Sequence, residues 1–386
     1  MRVWVSVAAV VVLNATPTAA QSMRDSADIQ IIENAGPAWS PEEAWTVATS
    51  PSLEIGAVDG PAELLFSNIE AVVVSSDGRI IVADRGSGQV RFFHPSGLYE
   101  ASFGGPGEGP GEFLWLAWLG ECGGGEILAY DRRLARVTSV RPGMTSAETW
   151  PIRSDGNRAP NEVRCTDTGL VGATRTFGMP PSTPGPVRWP TRIEIFPTDS
   201  APRTLAEVPG DDRFFQNGDL GPRPLGRRTV IAARGSEVAI GTADAPEVMF
   251  HDVRTDIRRL VRWSDSSLDV RAEDIHAFTE GLVEAASSPE RARQIRIQLR
   301  DHPFPERLPA YGRVLFDREG NLWVEHTRRP GESLNWWRVL SPSGELLGSL
   351  RLPSRFEPMS ITSSQVAGVW RDGLDVEYVW VLELRK

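Results

Sequence analysis

The sequence predicts an all-β fold, a six-bladed β-propeller of four-stranded antiparallel blades, and three observations lead to it. The first is internal repetition. "DGRIIVADRGSGQVRFFHPSGLYEASFG" from Asp77, "GGEILAYDRRLARVTSVRPGMTSAETW" from Gly124 and "REGNLWVEHTRRPGESLNWWRVLSPSGELLGSL" from Arg318 share one plan of alternating turns and strands. Weaker copies begin at Thr166 and Arg234, and a last one runs over 363–385, which makes six units. The second is spacing: Gly78 and Gly125 are 47 residues apart, near the length of a four-stranded blade. The third is alternation, with Ile80 and Val82, then Val90 and Phe92, on the buried sides of successive strands. Blades set around an axis bury both sheet faces and leave only short edges. A β-sandwich accommodates the short strands but not the repeated turns.

Taken in order, the chain opens on "MRVWVSVAAVVVLNATPTAAQS", with one positive charge at Arg2, an apolar run over 3–13 and then small residues. That run is too short to span a bilayer, so residues 1–20 read as a signal peptide cut after Ala20. The mature chain is then exported, periplasmic or extracellular, with no integral membrane segment. Residues 21–43 read as a poorly ordered extension, and 44–386 as a single propeller. "AWTVATSPSLEIG" (44–56) alternates without a nearby partner; it is expected to complete the last unit and close the ring. Over 269–300 the period becomes helical, with Ile275, Phe278, Leu282 and Val283 on one face, and Ser288-Pro289 starts a second helix. This predicts a helical insertion over 264–310, between blades four and five.

"SFGGPGEGPGEF" (102–113) lies between the first two units. It lacks the Gly-Lys-Ser/Thr ending of a phosphate loop, and Glu108 and Glu112 would repel an anion. Glycine supplies positive φ and proline stiffness for a chain crossing from the outer strand of one blade to the inner strand of the next. Phe103 and Phe113 are expected to anchor the two ends of this joint.

The stretch "DGRIIVADRGSGQVRFFHPSGLYEASFGGPGEGPGEF" resembles an NHL-type repeat with its glycine-rich joint. The mature chain as a whole resembles bacterial exported six-bladed β-propeller proteins whose first blade ends in such a Gly-Pro-Gly-Glu-Phe joint. The likeness is specific over 69–113, weaker over 311–326 and the last unit, and faint in the middle. It implies the fold with force and an activity hardly at all, because propellers host many activities.

Composition narrows the partners. A net charge of -10 disfavours nucleic acid and anionic membrane, which need a basic footprint. Lys386 is the only lysine, which disfavours Schiff-base and P-loop chemistry. Two cysteines in an exported chain suggest a disulfide, with buried free thiols as the alternative. Cys122 and Cys165 occupy equivalent repeat positions, at the axial ends of adjacent inner strands.

Aligning the second strands of the repeats puts Asp84, Asp131 and Thr174 in one column and Arg85, Arg132 and Arg175 in the next, with Arg133 beside them. The column opens a loop on the face that carries the joints, so these arginines, with Glu108 and Glu112, are candidates for a polar pocket mouth suited to a carboxylate, a sugar acid or a peptide terminus. The competing reading is structural: the aspartates cap turns, and each arginine pairs with a neighbouring acid. His302 and His326 are further candidates, forming with Glu325 a conceivable acid–base or metal site. No histidine pair has metal-ligand spacing, and no metal or cofactor is expected. The leading expectation is a monomeric, non-catalytic scaffold that binds an unknown protein or a small polar ligand. The alternative is a lactonase-like hydrolase or lyase working in the central channel.

Overall fold

Four-stranded antiparallel sheets follow one another along almost the whole chain. The computed structural model describes residues 21–26, 28–144, 146–197, 200–216, 218–300 and 302–386; the predicted signal peptide lies outside them. The first sheet is Ile69–Val74, Ile80–Asp84, Gln89–Phe93 and Tyr99–Gly104. The second is Leu116–Glu121, Ile127–Asp131, Arg136–Val140 and Glu148–Pro151. The third is Glu162–Thr166, Gly169–Arg175, Pro190–Phe196 and Arg203–Pro209. The fourth begins with Val230–Arg234, Glu237–Gly241, Glu247–Asp252 and Arg258–Trp263, and the fifth is Tyr311–Phe316, Leu322–His326, Asn335–Leu340 and Leu346–Leu352. The last joins Phe356–Ile361, Gln365–Arg371 and Glu377–Arg385 to Leu53–Ile55 from the other end of the chain.

The first strand of each sheet lies against the first strand of the next, and that of the last sheet returns to Ile69–Val74. This is the arrangement of a β-propeller. The core is accordingly divided. One apolar cluster, with Ile81, Phe92, Phe113 and Leu116, fills the space between the first two sheets; another, with Trp323, Trp337, Val366 and Leu382, fills the space between the last two. Strands buried on both faces explain why "IIVAD" and "ILAYD" are buried at every position rather than at alternate ones.

Within the stretch expected as an N-terminal extension, Gln21–Ser26 and Ile29–Asn34 are strands, and Ile29–Asn34 runs parallel to Arg258–Trp263 on the outer edge of the fourth sheet. Ile32 is fully buried. The Asn34 amide donates to the carbonyls of Arg262 and Gly344, and its oxygen accepts from the Leu346 N–H. "IQII" is short and polar-flanked and has no turn signal, so its partner, more than two hundred residues away, was not legible. The chain then crosses the fifth sheet, where Ala38 and Trp39 donate to Leu346 and Leu347. It reaches the last strand through Thr46–Val47 and Leu53–Ile55.

Two helices, α1 (Ala272–Glu284) and α2 (Pro289–Arg300), lie between the fourth and fifth sheets in sequence. Asp274 of α1, buried, is held by Arg329 at 2.6 Å. The sequence reading did not anticipate a small sheet of Gly185–Val187, Arg213–Gln216 and Asp219–Pro222. Among the described residues, no helix is long and apolar enough to cross a membrane.

Candidate functional site

The aspartate column builds the frame. Asp84, fully buried, accepts from the Ser67 N–H, the Ser87 hydroxyl and Arg91. Asp131, equally buried, accepts from the N–H groups of Leu114, Trp115 and Leu134. Each carboxylate thereby ties a turn to the chain entering an inner strand, as the structural reading expected. The arginine that follows is tethered by its own backbone: Arg85 N–H donates to Asn68 O, Arg132 N–H to Trp115 O, and Arg175 N–H to the Asn161 side chain. This repeated lock delivers the three side chains to one place.

That place is a cavity of about 450 Å³. Its wall includes residues from the first strand of every sheet, such as Glu70, Trp118, Arg164, Ala232, Arg313 and Glu357, so it lies on the axis. Arg85, Arg132 and Arg175 all line it. Arg85 pairs with Glu70 at 3.0 Å, Arg175 with Asp211, and Arg313 with Glu357. Arg132 has no carboxylate within ion-pair distance among the described residues; its guanidinium stands 5.9 Å from the centre of the Trp115 ring, and that of Arg85 stands 4.9 Å from the same ring. Burial and the neighbouring Arg175 lower the Arg132 pKa from its ordinary value. Burial raises that of Glu70, against the pull of Arg85 and with the help of Glu357.

The other candidates fall elsewhere. Arg133 is exposed. Glu108 and Glu112 belong to the joint: their carbonyls accept from Arg136, and the Glu112 carboxylate accepts from the Gly109 N–H at 2.8 Å. They serve the crossing and do not line the cavity. His302 packs between Phe214 and Phe304, with ring centres 4.4 and 5.5 Å away, and lines neither the axial cavity nor the two clefts that include His326. Glu325 is occupied by Arg313 and Arg328. The histidines and Glu325 therefore do not converge, and among the described residues no group of three or more His, Cys, Asp or Glu is placed to hold a metal ion.

Sequence reasoning missed Glu70, Arg164, Arg228, Arg313 and Glu357 in the cavity wall. A signal existed for some of them. Aligning the first strands rather than the second would have shown charges near their starts, at Glu70, Glu162, Arg313 and Glu357.

His326 carries a pH prediction. Burial, with Arg338 close by and Asp265 opposing it, pushes its pKa down from 6.5 to about 4. The unfolded chain therefore takes up this proton first. Its contribution to stability is complete above about 6.5 and is lost as pH falls toward about 4. The melting temperature of the wild type is expected to fall more steeply across that window than that of His326→Gln; parallel curves would remove His326 from the account.

Comparisons with known proteins give likenesses of overall path. No family model matches the chain, and no curated protein matches it. Among solved structures, a candidate exported protein from Bacteroides fragilis is 11% identical, covering 92% of this chain and 99% of its own, with a TM-score of 0.49. A member of the DUF4221 family from Bacteroides vulgatus is 9% identical over 89% of this chain and 99% of its own, with a TM-score of 0.48. A gluconolactonase from Xanthomonas campestris is 12% identical over 88% of this chain and all of its own, with a TM-score of 0.42.

Proposed function

We propose that this chain is an exported six-bladed β-propeller that acts as a binding scaffold and holds a small anionic ligand in its axial cavity, on the face that carries the blade joints. The observation that carries this reading is the set of Arg132, Arg164 and Arg228. All three line the cavity, and none has a carboxylate within ion-pair distance among the described residues. Three such cations in one cavity of a chain with net charge -10 favour an anion there. A guanidinium that is partly out of water and unpaired gains more from a carboxylate than an exposed one does.

The closed succession of inner strands, with an apolar cluster between neighbouring sheets, supports the count of six. The apolar N-terminal run and the Cys122–Cys165 bridge support export.

Calorimetric titration of the mature chain with simple carboxylates tests the reading. Binding is expected, and Arg132→Gln is expected to weaken it by about tenfold to a hundredfold, the size of a charge-assisted hydrogen bond, without moving the melting temperature. A mature chain that binds no carboxylate would overturn it. The hydrolase or lyase reading draws on Glu70, a carboxyl with a raised pKa in the same cavity. Turnover of a lactone or ester panel is the measurement that would favour it.

A further inference from the structure

Resting on the anionic reading of the axial cavity, we infer that its ligand carries two separated carboxylates, a compact dicarboxylate, and that Trp115 positions the guanidinium that receives one of them.

The first argument is charge. Six arginines and four carboxylates line the cavity. Three of each are committed to one another: Arg85 with Glu70, Arg175 with Asp211, Arg313 with Glu357. The fourth carboxylate, Glu162, accepts from the Ile231 N–H at 3.2 Å. The lining as a whole keeps an excess of two positive charges. A monocarboxylate leaves one of them unbalanced in a confined space, where repulsion is stronger than in open water. A dianion balances both.

The second argument is placement. Arg132 follows the second strand of the second sheet, Arg164 lies within the first strand of the third, and Arg228 precedes the first strand of the fourth. The unpaired cations thus come from three successive sheets around one arc of the ring. Charges spread along an arc suit a ligand with an anion at each end better than a single compact centre. The planar guanidinium fork matches the carboxylate in particular.

The third argument is preorganisation. The Trp115 indole is 42% exposed, and the guanidiniums of both Arg85 and Arg132 lie within cation–π range of it. Arg132 therefore has a fixed rest position before any anion arrives, which lowers the ordering cost of binding. Arg85 is kept on Glu70 by its ion pair, so Arg132 is the member of the pair free to engage a ligand.

The experiment titrates the mature chain with propionate, hydrogen phosphate, and a series of straight-chain dicarboxylates from malonate to adipate, at low and at moderate salt. The best dicarboxylate is expected to bind at least about tenfold more tightly than propionate, with the steeper salt dependence. Arg132→Gln should reduce that advantage to near unity, while Arg141→Gln, in an exposed turn, should leave it intact. Trp115→Leu should weaken dicarboxylate binding by about fivefold with an unchanged melting temperature, and Trp115→Phe should restore most of it. Equal binding of mono- and dicarboxylates would overturn the two-charge inference and leave the anionic site standing. Phosphate binding as tightly as the best dicarboxylate would overturn it too, by showing a single anionic centre to be enough. Binding of none of these anions would overturn both readings.

Discussion

Replacing Phe113 with alanine is expected to lower stability by about 3–5 kcal/mol, the range for emptying a buried aromatic site. Phe113 is 2% exposed and meets Phe103 edge-on, with ring centres 6.5 Å apart. Its N–H donates to Gly105 O at 2.8 Å, so ring and backbone together fix the end of the joint. Gly104 makes room for it. Gly104 has φ of +100°, and a Cβ there would stand 2.8 Å from the Phe113 ring. The glycine and the phenylalanine are thus two halves of one close approach. Urea unfolding of Phe113→Ala measures the effect; a loss below about 1 kcal/mol would mean that the ring is not the anchor.

The second large effect concerns the bridge between Cys122 and Cys165, 43 residues apart. The bond joins the inner-strand ends of the second and third sheets. The chain-entropy model gives a loop of that length about 4 kcal/mol. The double variant Cys122→Ser/Cys165→Ser is expected to lose an amount of that order, and a reductant should shift the wild-type midpoint in the same direction. Oxidised and reduced chains with one common midpoint would show that the bridge adds nothing to the folded state.

What the sequence made legible was local. Asp84 with Arg85 and Asp131 with Arg132 were readable because the same turn recurs one repeat later and places the same side chains again. The joint was readable from its glycines and its flanking phenylalanines. The rest of the cavity was not, because Asp211 and Arg228 reach it from the segment between the third and fourth sheets, where the repeats have drifted, and ring closure brings them to Arg313 of the fifth. The same ring separated residues that had been grouped by face. Glu108 and Glu112 bend into their own joint, and His302 turns into an aromatic nest with Phe214 and Phe304. The strand Ile29–Asn34 was hidden for a related reason: its partner, Arg258–Trp263, is remote, and a parallel pairing leaves no hairpin signature in the sequence.

The pairing of Leu53–Ile55 with Val379–Val381 has a temporal side. Synthesis of these two partners is separated by more than three hundred residues of chain. Until the later one is made, the edge that Leu53–Ile55 will fill does not exist, and early sheets wait as an open stack with sticky margins. Such distant pairing is slow to form. Loss of Glu377–Arg385 would leave every earlier sheet intact in sequence and yet deprive the molecule of its clasp, with Leu53–Ile55 and Gln365–Arg371 left as unpaired edges.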